Sequence, residues 1–462
     1  MDAAAAAAAA RAEPLLGGSP PTPRALLSPR ARLLALLATS LTVLLSLAAF
    51  RAPSAAAAAT LPSLLPPPLL DQRLDEEGWP IIDRPTDRPR ACWGIVSAGR
   101  IAHDFTAAAV GMGACVHAVA AAQLPAARAR AAAFAAAFRL PRAYDSYAAL
   151  AADPNVSMVY VAAVNVAHAR LARFFLLHGK HVLLEKPATL TLGAFDELAA
   201  IARARRLLLV TNFWTRWFPT MRWARAIVHS GMIGRVVHVA GDMAFQAVRH
   251  HDGALDRFFN ASLLGGATLD MGSYLCMYAS TFLDASLEVE DYALDNWSVQ
   301  AEGVVEGGVD TETAFLIGHV GGAHAAMGTS LKRASDFAVR VMGTHGMVHI
   351  LGVAISPLAA EVTVYADASL RTESPRPCCG MPLVSTTSFK SVLPPYPAWT
   401  GESEQYPHAM GMVYVAAAFE ECMYDPDCTE LPELPLEEQR LLVQLAWKVL
   451  DRVGVYKGVQ GV

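Results

Sequence analysis

The strongest constraint on the fold is a regular alternation of short apolar strands and helices between Cys92 and Thr211. The apolar runs predict strands at 92–97, 116–121, 158–162, 181–184 and 207–211, with helical segments between them. Two parallel neighbouring strands need a crossover connection, which is usually a helix. The alternation therefore predicts a doubly wound parallel sheet of the α/β class. We assign residues 91–212 to this first domain.

Beyond the first domain the sequence pattern changes. Several β-type runs follow one another between 289 and 351 without helical segments between them. This arrangement predicts a large open, mostly antiparallel sheet. The Pro-rich segment 356–406 is predicted to be loop, and two helices, about 408–423 and 436–453, to close the chain. Residues 213–462 are therefore expected to form an α+β domain for substrate binding and oligomerisation.

Residues 1–90 have the composition of a leader and linker, because they combine an alanine tract with Pro-rich loops. Within them, residues 33–50 form an uncharged apolar run bracketed by arginines, just long enough to cross a bilayer. The excess of arginine before this run predicts a cytoplasmic N-terminus and a lumenal body. The expectation is a single-pass, membrane-anchored protein of the secretory pathway, with a cleaved signal peptide and a plastid transit peptide as alternatives.

The asparagines also indicate the secretory pathway. Three of the five, Asn155, Asn260 and Asn296, begin glycosylation sequons. A secretory glycoprotein is therefore predicted.

The composition excludes some classes of protein. Hydrophobic residues make up 54% of the chain and charged residues 17%, which excludes a disordered protein. The formal net charge of -5 argues against a nucleic-acid partner, since phosphate binding requires clustered Lys and Arg. The seven cysteines lack the paired spacing of a zinc site, so no metal is predicted.

A candidate dinucleotide turn lies between the first strand and the first helix, where such a turn must lie to bring backbone close to a pyrophosphate. Its residues are Ser97, Ala98, Gly99, Arg100, Ile101 and Ala102. Gly99 and Ala102 match the second and third small positions of the fingerprint, whereas Ser97 replaces the first glycine. We predict that this turn, apart from Ala98, binds the cofactor; the alternative is a plain tight turn.

The choice between NADP and NAD rests on the end of the second strand. An acid there would bind the ribose of NAD, but residues 120–123 contain none. Arg128, early in the following helix, can meet the extra phosphate of NADP, or it can lie on a solvated helix face. The expectation is NADP, with NAD still possible.

A charged pair follows the strand at 181–184. Glu185, Lys186 and Pro187 come directly after the apolar run, at the carboxyl end of a parallel strand, where ligands bind. This position favours a catalytic site. The alternative is an ion pair that caps the strand.

At this point the chain resembles the family of glucose-fructose oxidoreductase, inositol dehydrogenase and the rhizopine-catabolism proteins, and within it the dihydrodiol dehydrogenase branch. The resemblance extends from about residue 91 to the C-terminus. The stretches that carry it are 93–97 with 104–106, 179–187, 214–219, 265–274 and 343–348.

The resemblance implies a Rossmann domain followed by an open-sheet domain, with the C-terminal helix returning to the first. It places Lys186 near the nicotinamide and the substrate, and it makes Asp270 and Tyr274 the other catalytic groups. In this branch the first glycine of the fingerprint is also a serine. The family further implies a homodimer that forms through the open sheet.

Other residues receive expectations from the same comparison. Asn165 and His168 match the loop that borders the nicotinamide. Glu185 is also expected to belong to the cofactor site. Trp214 and Arg216 are expected to wall the substrate pocket. Two departures are Ala122, where the branch has an arginine, and Ala163-Val164, where the family has Thr-Pro.

The chemistry requires a base that takes the hydroxyl proton as hydride leaves the carbon. Tyr274 lies four residues after Asp270, on the same helix face, and a neighbouring Lys186 cation would lower the pKa of its phenol. We therefore expect an NAD(P)-dependent oxidoreductase acting on a sugar or a cyclic diol. The alternatives are an NAD-dependent glycoside hydrolase and a non-catalytic nucleotide-binding protein.

Overall fold

The computed structural model describes residues 74–84, 90–121, 126–247, 256–283, 292–365, 383–401 and 403–456. All of them belong to one compact unit, Leu65–Val462.

The first sheet is parallel and has six strands. They are β1 (Cys92–Val96), β2 (Cys115–Ala120), β3 (Arg142–Tyr144), β4 (Met158–Val161), β5 (His181–Leu184) and β6 (Leu209–Thr211). Their order across the sheet is β3-β2-β1-β4-β5-β6. Strands β1, β4 and β5 are buried along their whole length except at His181, as expected when helices cover both faces. The predicted doubly wound sheet is confirmed.

Five helices connect these strands. They are α1 (Arg100–Gly111), α2 (Ala127–Ala137), α3 (Tyr147–Ala152), α4 (His168–Leu177) and α5 (Leu192–Arg205). The sequence analysis missed β3 and α3. Both are short, and β3 is largely exposed, so neither produces a clear apolar pattern.

The second sheet has eight strands. They are β7 (Val236–Ala244), β8 (Trp297–Glu306), β9 (Val309–His319), β10 (His324–Ser330), β11 (Val339–Gly343), β12 (Gly346–Leu351), β13 (Ala359–Tyr365) and β14 (Leu383–Lys390). Their order is β14-β13-β12-β11-β7-β10-β9-β8. Every pairing is antiparallel except that of β10 with β7. The predicted open, mostly antiparallel sheet is confirmed.

The loop prediction for 356–406 is wrong in part, because β13 and β14 lie inside this segment. They pair with each other and extend the sheet at the β12 side. The prolines of the segment lie before, between and after the two strands, so they do not interrupt the ladder.

Helices pack on one face of the second sheet and against the first domain. They are α6 (Pro219–His229), α7 (Ser273–Leu283), α8 (Met412–Tyr424) and α9 (Leu436–Val453). A π-helical turn, Thr268–Gly272, runs directly into α7. Helix α9 returns to the parallel sheet, where the Gln439 side chain accepts hydrogen bonds from the backbone and hydroxyl of Thr211. It thereby covers the edge strand β6.

Part of the predicted leader packs against the folded unit. Trp79 lies against Gly111 so closely that a Cβ added there would be 2.3 Å from the indole ring. Arg84 forms an ion pair with the buried Glu420 at 2.9 Å. The predicted end of the leader at residue 90 therefore assigns to the leader some residues that pack against this unit.

The membrane prediction is not supported by the described part of the chain. None of the described helices is long and apolar enough to cross a bilayer. The predicted span, 33–50, lies outside the described residues.

Two disulfides link cysteines that the sequence spacing left unpaired. Cys92 bonds to Cys115, which joins β1 to β2, and Cys422 bonds to Cys428 after α8. Cys276 is buried and free.

Candidate active site

The predicted cofactor turn connects β1 to α1. Ser97 adopts a positive φ of 91°, a conformation that suits the glycine found there in the usual fingerprint. Gly99 precedes the first residue of α1, and a Cβ added to it would have Ser97 Oγ, at 3.7 Å, as its nearest neighbour. The turn thus leaves open space beside the helix N-terminus, which fits a pyrophosphate. Ile101 is half-buried and Ala102 buried, so both support the turn from inside.

The sheet order places this turn at a topological switch point. From β1 the chain continues to β2 and β3 on one side, whereas β4, β5 and β6 lie on the other. Ligands of open α/β sheets bind outside the carboxyl ends of the strands at such a point.

The two predicted cofactor arginines have different surroundings. Arg128 is exposed in the first turn of α2. Arg100 is exposed too, but it donates a hydrogen bond to the Gln405 carbonyl at 2.9 Å and lies 5.1 Å from the centre of the Tyr406 ring.

Glu185 is buried at the end of β5. Its Oε1 accepts hydrogen bonds from the Tyr160 hydroxyl at 2.5 Å and the Asn212 amide at 2.7 Å. Its Oε2 accepts a bond from the Lys186 backbone N–H at 3.2 Å. Glu185 therefore anchors the start of the turn that carries Lys186.

Lys186 and Asp270 meet, although 84 positions separate them in the chain. Lys186 Nζ donates to the Asp270 carbonyl at 2.7 Å and lies 3.3 Å from Asp270 Oδ1. Arg257 Nη2 lies 3.3 Å from the same oxygen. Burial alone would raise the pKa of Asp270, but Lys186 and Arg257 hold it below its ordinary value. The carboxylate is therefore ionised, and its buried Oδ2 has no partner among the described residues.

The turn that carries Asp270 is held from the second sheet. Asp310 is fully buried on β9 and accepts hydrogen bonds from the Thr268 backbone N–H at 2.7 Å and the Thr313 hydroxyl at 3.0 Å. Gly266 leaves room for this carboxyl, since a Cβ there would lie 2.2 Å from Asp310 Oδ1.

Tyr274 lies on α7, one turn after Asp270. Lys186 Nζ is 5.0 Å from the centre of its ring, and Trp214 Nε1 donates a hydrogen bond to its hydroxyl at 2.8 Å. Burial first, and then the charge of Glu185, raise the pKa of Tyr274 well above its ordinary value. The expectation that this pKa would be lowered is therefore wrong, because burial and the charge of Glu185 raise it. The phenol is neutral.

Of the two residues expected to wall the substrate pocket, Trp214 lies beside Tyr274, whereas Arg216 does not face a substrate. Trp214 is buried and holds the Tyr274 hydroxyl. Arg216 is also buried, and its guanidinium donates five hydrogen bonds, to Glu438, Thr281 and the Glu433 carbonyl. Since a guanidinium has five N–H groups, Arg216 has none left for a substrate.

Asn165 and His168 hold loops together. Asn165 Nδ2 donates to the Leu264 carbonyl at 2.8 Å. His168 is buried, with Nδ1 2.7 Å from the Pro187 carbonyl and Nε2 2.9 Å from the Ala163 carbonyl. It thus links the loop after β4 to the turn that carries Lys186.

Two residues near the site escaped the sequence analysis. Arg257 reaches Asp270 from a short 3-10 turn, and the Tyr406 hydroxyl interacts with Arg257. Both lie in segments without periodicity or motif, so no signal in one sequence could have placed them together.

Comparison with known proteins agrees with this geometry. Residues 92–213 match a family model described as an oxidoreductase family with an NAD-binding Rossmann fold, and residues 221–349 match the GFO/IDH/MocA C-terminal domain. A trans-1,2-dihydrobenzene-1,2-diol dehydrogenase from Bos taurus is 30% identical over 366 residues, which is 79% of this chain and 97% of the relative. The Homo sapiens protein of the same name is also 30% identical, over 368 residues.

The chain belongs to the GFO/IDH/MocA oxidoreductase family. The predicted resemblance and the enzyme class are confirmed, and the non-catalytic alternative is wrong. Its first domain is an NAD-binding Rossmann domain, which confirms the predicted nicotinamide cofactor.

Solved structures show the same fold. A levoglucosan dehydrogenase in complex with NADH and levoglucosan has a TM-score of 0.62 at 16% identity, over 79% of this chain and 97% of that one. KijD10, a 3-ketoreductase from Actinomadura kijaniata in complex with NADP and TDP-benzene, has a TM-score of 0.59 at 22% identity, over 78% of this chain and 97% of that one.

The predicted location needs correction. A membrane-anchored protein of the secretory pathway is not supported: the chain matches dehydrogenases over nearly their whole length, and no described helix is long and apolar enough to cross a bilayer. The glycoprotein prediction is left without support, because N-glycosylation occurs in that pathway.

Proposed function

We propose that this oxidoreductase moves hydride between a nicotinamide cofactor and a hydroxyl-bearing carbon of a sugar or cyclic diol, with Lys186, Asp270 and Tyr274 at the reacting carbon. The observation that carries the proposal is the convergence of these side chains at the carboxyl end of β5. The named substrates of the relatives, a dihydrodiol and levoglucosan, belong to the same chemical classes.

The turn from Ser97 to Ala102 holds the cofactor pyrophosphate in this proposal. When bound, the nicotinamide supplies the hydride acceptor or donor. Arg128, exposed at the start of α2, is positioned for the extra phosphate of NADP, which we therefore propose as the preferred form.

Tyr274 exchanges the proton. Its oxygen accepts the Trp214 N–H, and its own proton has no acceptor among the described side chains and backbone groups near it. A neutral phenol in this state donates a proton to a carbonyl oxygen during reduction and receives it back from the hydroxyl during oxidation. Lys186 supports the developing charge on that oxygen, and the free Oδ2 of Asp270 accepts a hydrogen bond from a neighbouring substrate hydroxyl.

The test combines cofactor binding with turnover. Wild type, Lys186→Met and Tyr274→Phe are titrated with NADPH and NADH by fluorescence, and are then assayed against sugars and cyclic diols. We expect Tyr274→Phe to bind cofactor like wild type while kcat falls about 10²- to 10⁴-fold. Wild-type turnover by both variants, or no cofactor binding by wild type, would contradict the proposal.

We also propose that two copies associate through the open face of the second sheet. Val304 and Leu316 are large apolar residues on β8 and β9 with 44% and 46% exposure, and small residues such as Ala314 and Ala326 lie beside them. A second copy would cover these exposed apolar side chains.

A further inference from the structure

A segment of the second domain reaches back to the cofactor turn. Residues 403–408 lie between β14 and α8, and we call them the strap. The buried Asp104 of α1 accepts hydrogen bonds from the backbone N–H groups of Gln405 and Tyr406, each at 2.9 Å. Arg100, in the cofactor turn, donates to the Gln405 carbonyl at 2.9 Å. The strap backbone is thereby fixed to the nucleotide domain.

This attachment brings Tyr406 to the active site. Its ring lies under the Arg100 guanidinium, 5.1 Å away, and its hydroxyl interacts with Arg257. Arg257 in turn lies 3.3 Å from Asp270 Oδ1, the oxygen that Lys186 also approaches. A continuous series of contacts therefore runs from the cofactor turn, through the strap, to Lys186.

Arg257 and Tyr406 have the chemistry of a ligand-binding wall. The Arg257 side chain is 37% exposed although it is paired with Asp270. Its face stacks on the Phe258 ring at 4.0 Å, which fixes the plane in which it can donate. Next to it, the buried Oδ2 of Asp270 has no partner among the described residues. Hydrogen-bond donors thus lie beside an acceptor that has no partner among the described residues.

We propose that Arg257 and Tyr406 are specificity-determining residues, which bind ring hydroxyls of the substrate that do not react. This inference rests on the proposed function and deepens it. A polyhydroxylated ring would satisfy the guanidinium, the phenol and Asp270 Oδ2 together, whereas a diol without further hydroxyls would leave the first two unused.

The test compares two substrates that differ in these hydroxyls. Wild type, Arg257→Leu and Tyr406→Phe are assayed with an aldopyranose and with trans-cyclohexane-1,2-diol, each with NADP. Tyr406→Phe keeps the ring on which Arg100 stacks and removes only the hydroxyl. We expect kcat/KM for the pyranose to fall roughly 10- to 100-fold in each variant, mainly through KM, because hydrogen bonds to a charged or buried group are lost. In Tyr406→Phe the value for cyclohexanediol should change by less than about threefold. In Arg257→Leu it should also fall, because this variant removes one of the two cations beside Asp270, but less than the value for the pyranose.

Controls separate this effect from damage to the fold. Arg173→Leu removes an arginine that is 50% exposed and paired with Glu197 at 2.5 Å on the outer surface, and should leave both substrates unaffected. Arg257→Lys keeps the charge and should recover part of the pyranose activity. NADPH affinity should match wild type in all four variants.

The outcomes are distinguishable. Equal losses on both substrates, or no loss on the pyranose, would overturn the assignment of Arg257 and Tyr406 but leave the proposed function intact. No turnover of either substrate by wild type would overturn the proposed function, and this inference with it.

Discussion

At Tyr274, burial and charge act in opposite directions on one phenol. The sequence analysis expected a neighbouring Lys186 to favour the phenolate. In the structure Lys186 Nζ lies 5.0 Å from the centre of the Tyr274 ring. Nevertheless, burial and Glu185 raise the pKa of Tyr274 well above 10.0. The protonated form therefore dominates at neutral pH, which suits proton donation in the direction of carbonyl reduction.

This pKa predicts the pH dependence of the reaction. Oxidation requires the phenolate, whose fraction rises about tenfold per pH unit below the pKa. Since the pKa is raised, kcat/KM for oxidation should still be increasing at pH 10, while the reduction rate stays level across neutral pH. Initial rates in both directions between pH 6 and 10 measure this. A plateau of the oxidation rate near pH 7 would show that the phenol is not the titrating group.

The first turn of helix α9 forms one buried and one exposed ion pair with other elements. Glu438, in its first turn, forms an ion pair with Arg216 at 2.7 Å, and both side chains are almost fully buried. The neighbouring Glu437 forms a pair of similar length with Arg203, but those side chains are 58% and 56% exposed. Two adjacent carboxylates of one helix thus differ mainly in burial.

Removing each arginine should therefore have very different consequences. Arg216→Met leaves Glu438 buried without its partner and should lower the free energy of unfolding by about 3–5 kcal/mol. Arg203→Met removes a surface pair and should cost less than about 1 kcal/mol. Urea unfolding followed by circular dichroism measures both.

Kinetics provide the second readout for Arg216. The substrate KM of the folded Arg216→Met variant should equal that of wild type, because its N–H groups all bond within the protein. A rise in KM without loss of stability would show instead that Arg216 contacts the substrate.

For the whole molecule, the open face of the second sheet is the surface to test. Leu316→Glu places a charge within the proposed interface, where an unpaired buried charge is strongly unfavourable. We expect sedimentation to show a dimer for wild type and a monomer for this variant. Val392→Glu changes another apolar residue, which is 69% exposed outside the sheet, and should remain dimeric. A monomeric wild type would contradict the interface.

Much of this architecture follows from patterns that are local in the sequence. The strand and helix alternation between Cys92 and Thr211 required a parallel sheet, and the spacing of Asp270 and Tyr274 required a shared helix face. Strands β13 and β14 were missed because Pro-rich flanks hide their pattern. Arg216 was assigned to the substrate pocket because an aromatic–arginine cluster looks alike whether it lines a pocket or lies in a core.

The sequence by itself determined the two-sheet fold, the cofactor turn and the candidacy of Lys186, since periodicity and position after a strand carry this information. Asp270 and Tyr274 became candidates through the resemblance to the family. Only the tertiary structure decided which polar groups meet. Arg257, 13 residues before Asp270 in the chain, contacts its carboxylate, and Tyr406, 136 residues after Asp270, interacts with Arg257. Burial sets the protonation of Tyr274. Partner choice and desolvation depend on contacts between distant segments, and no local pattern encodes them.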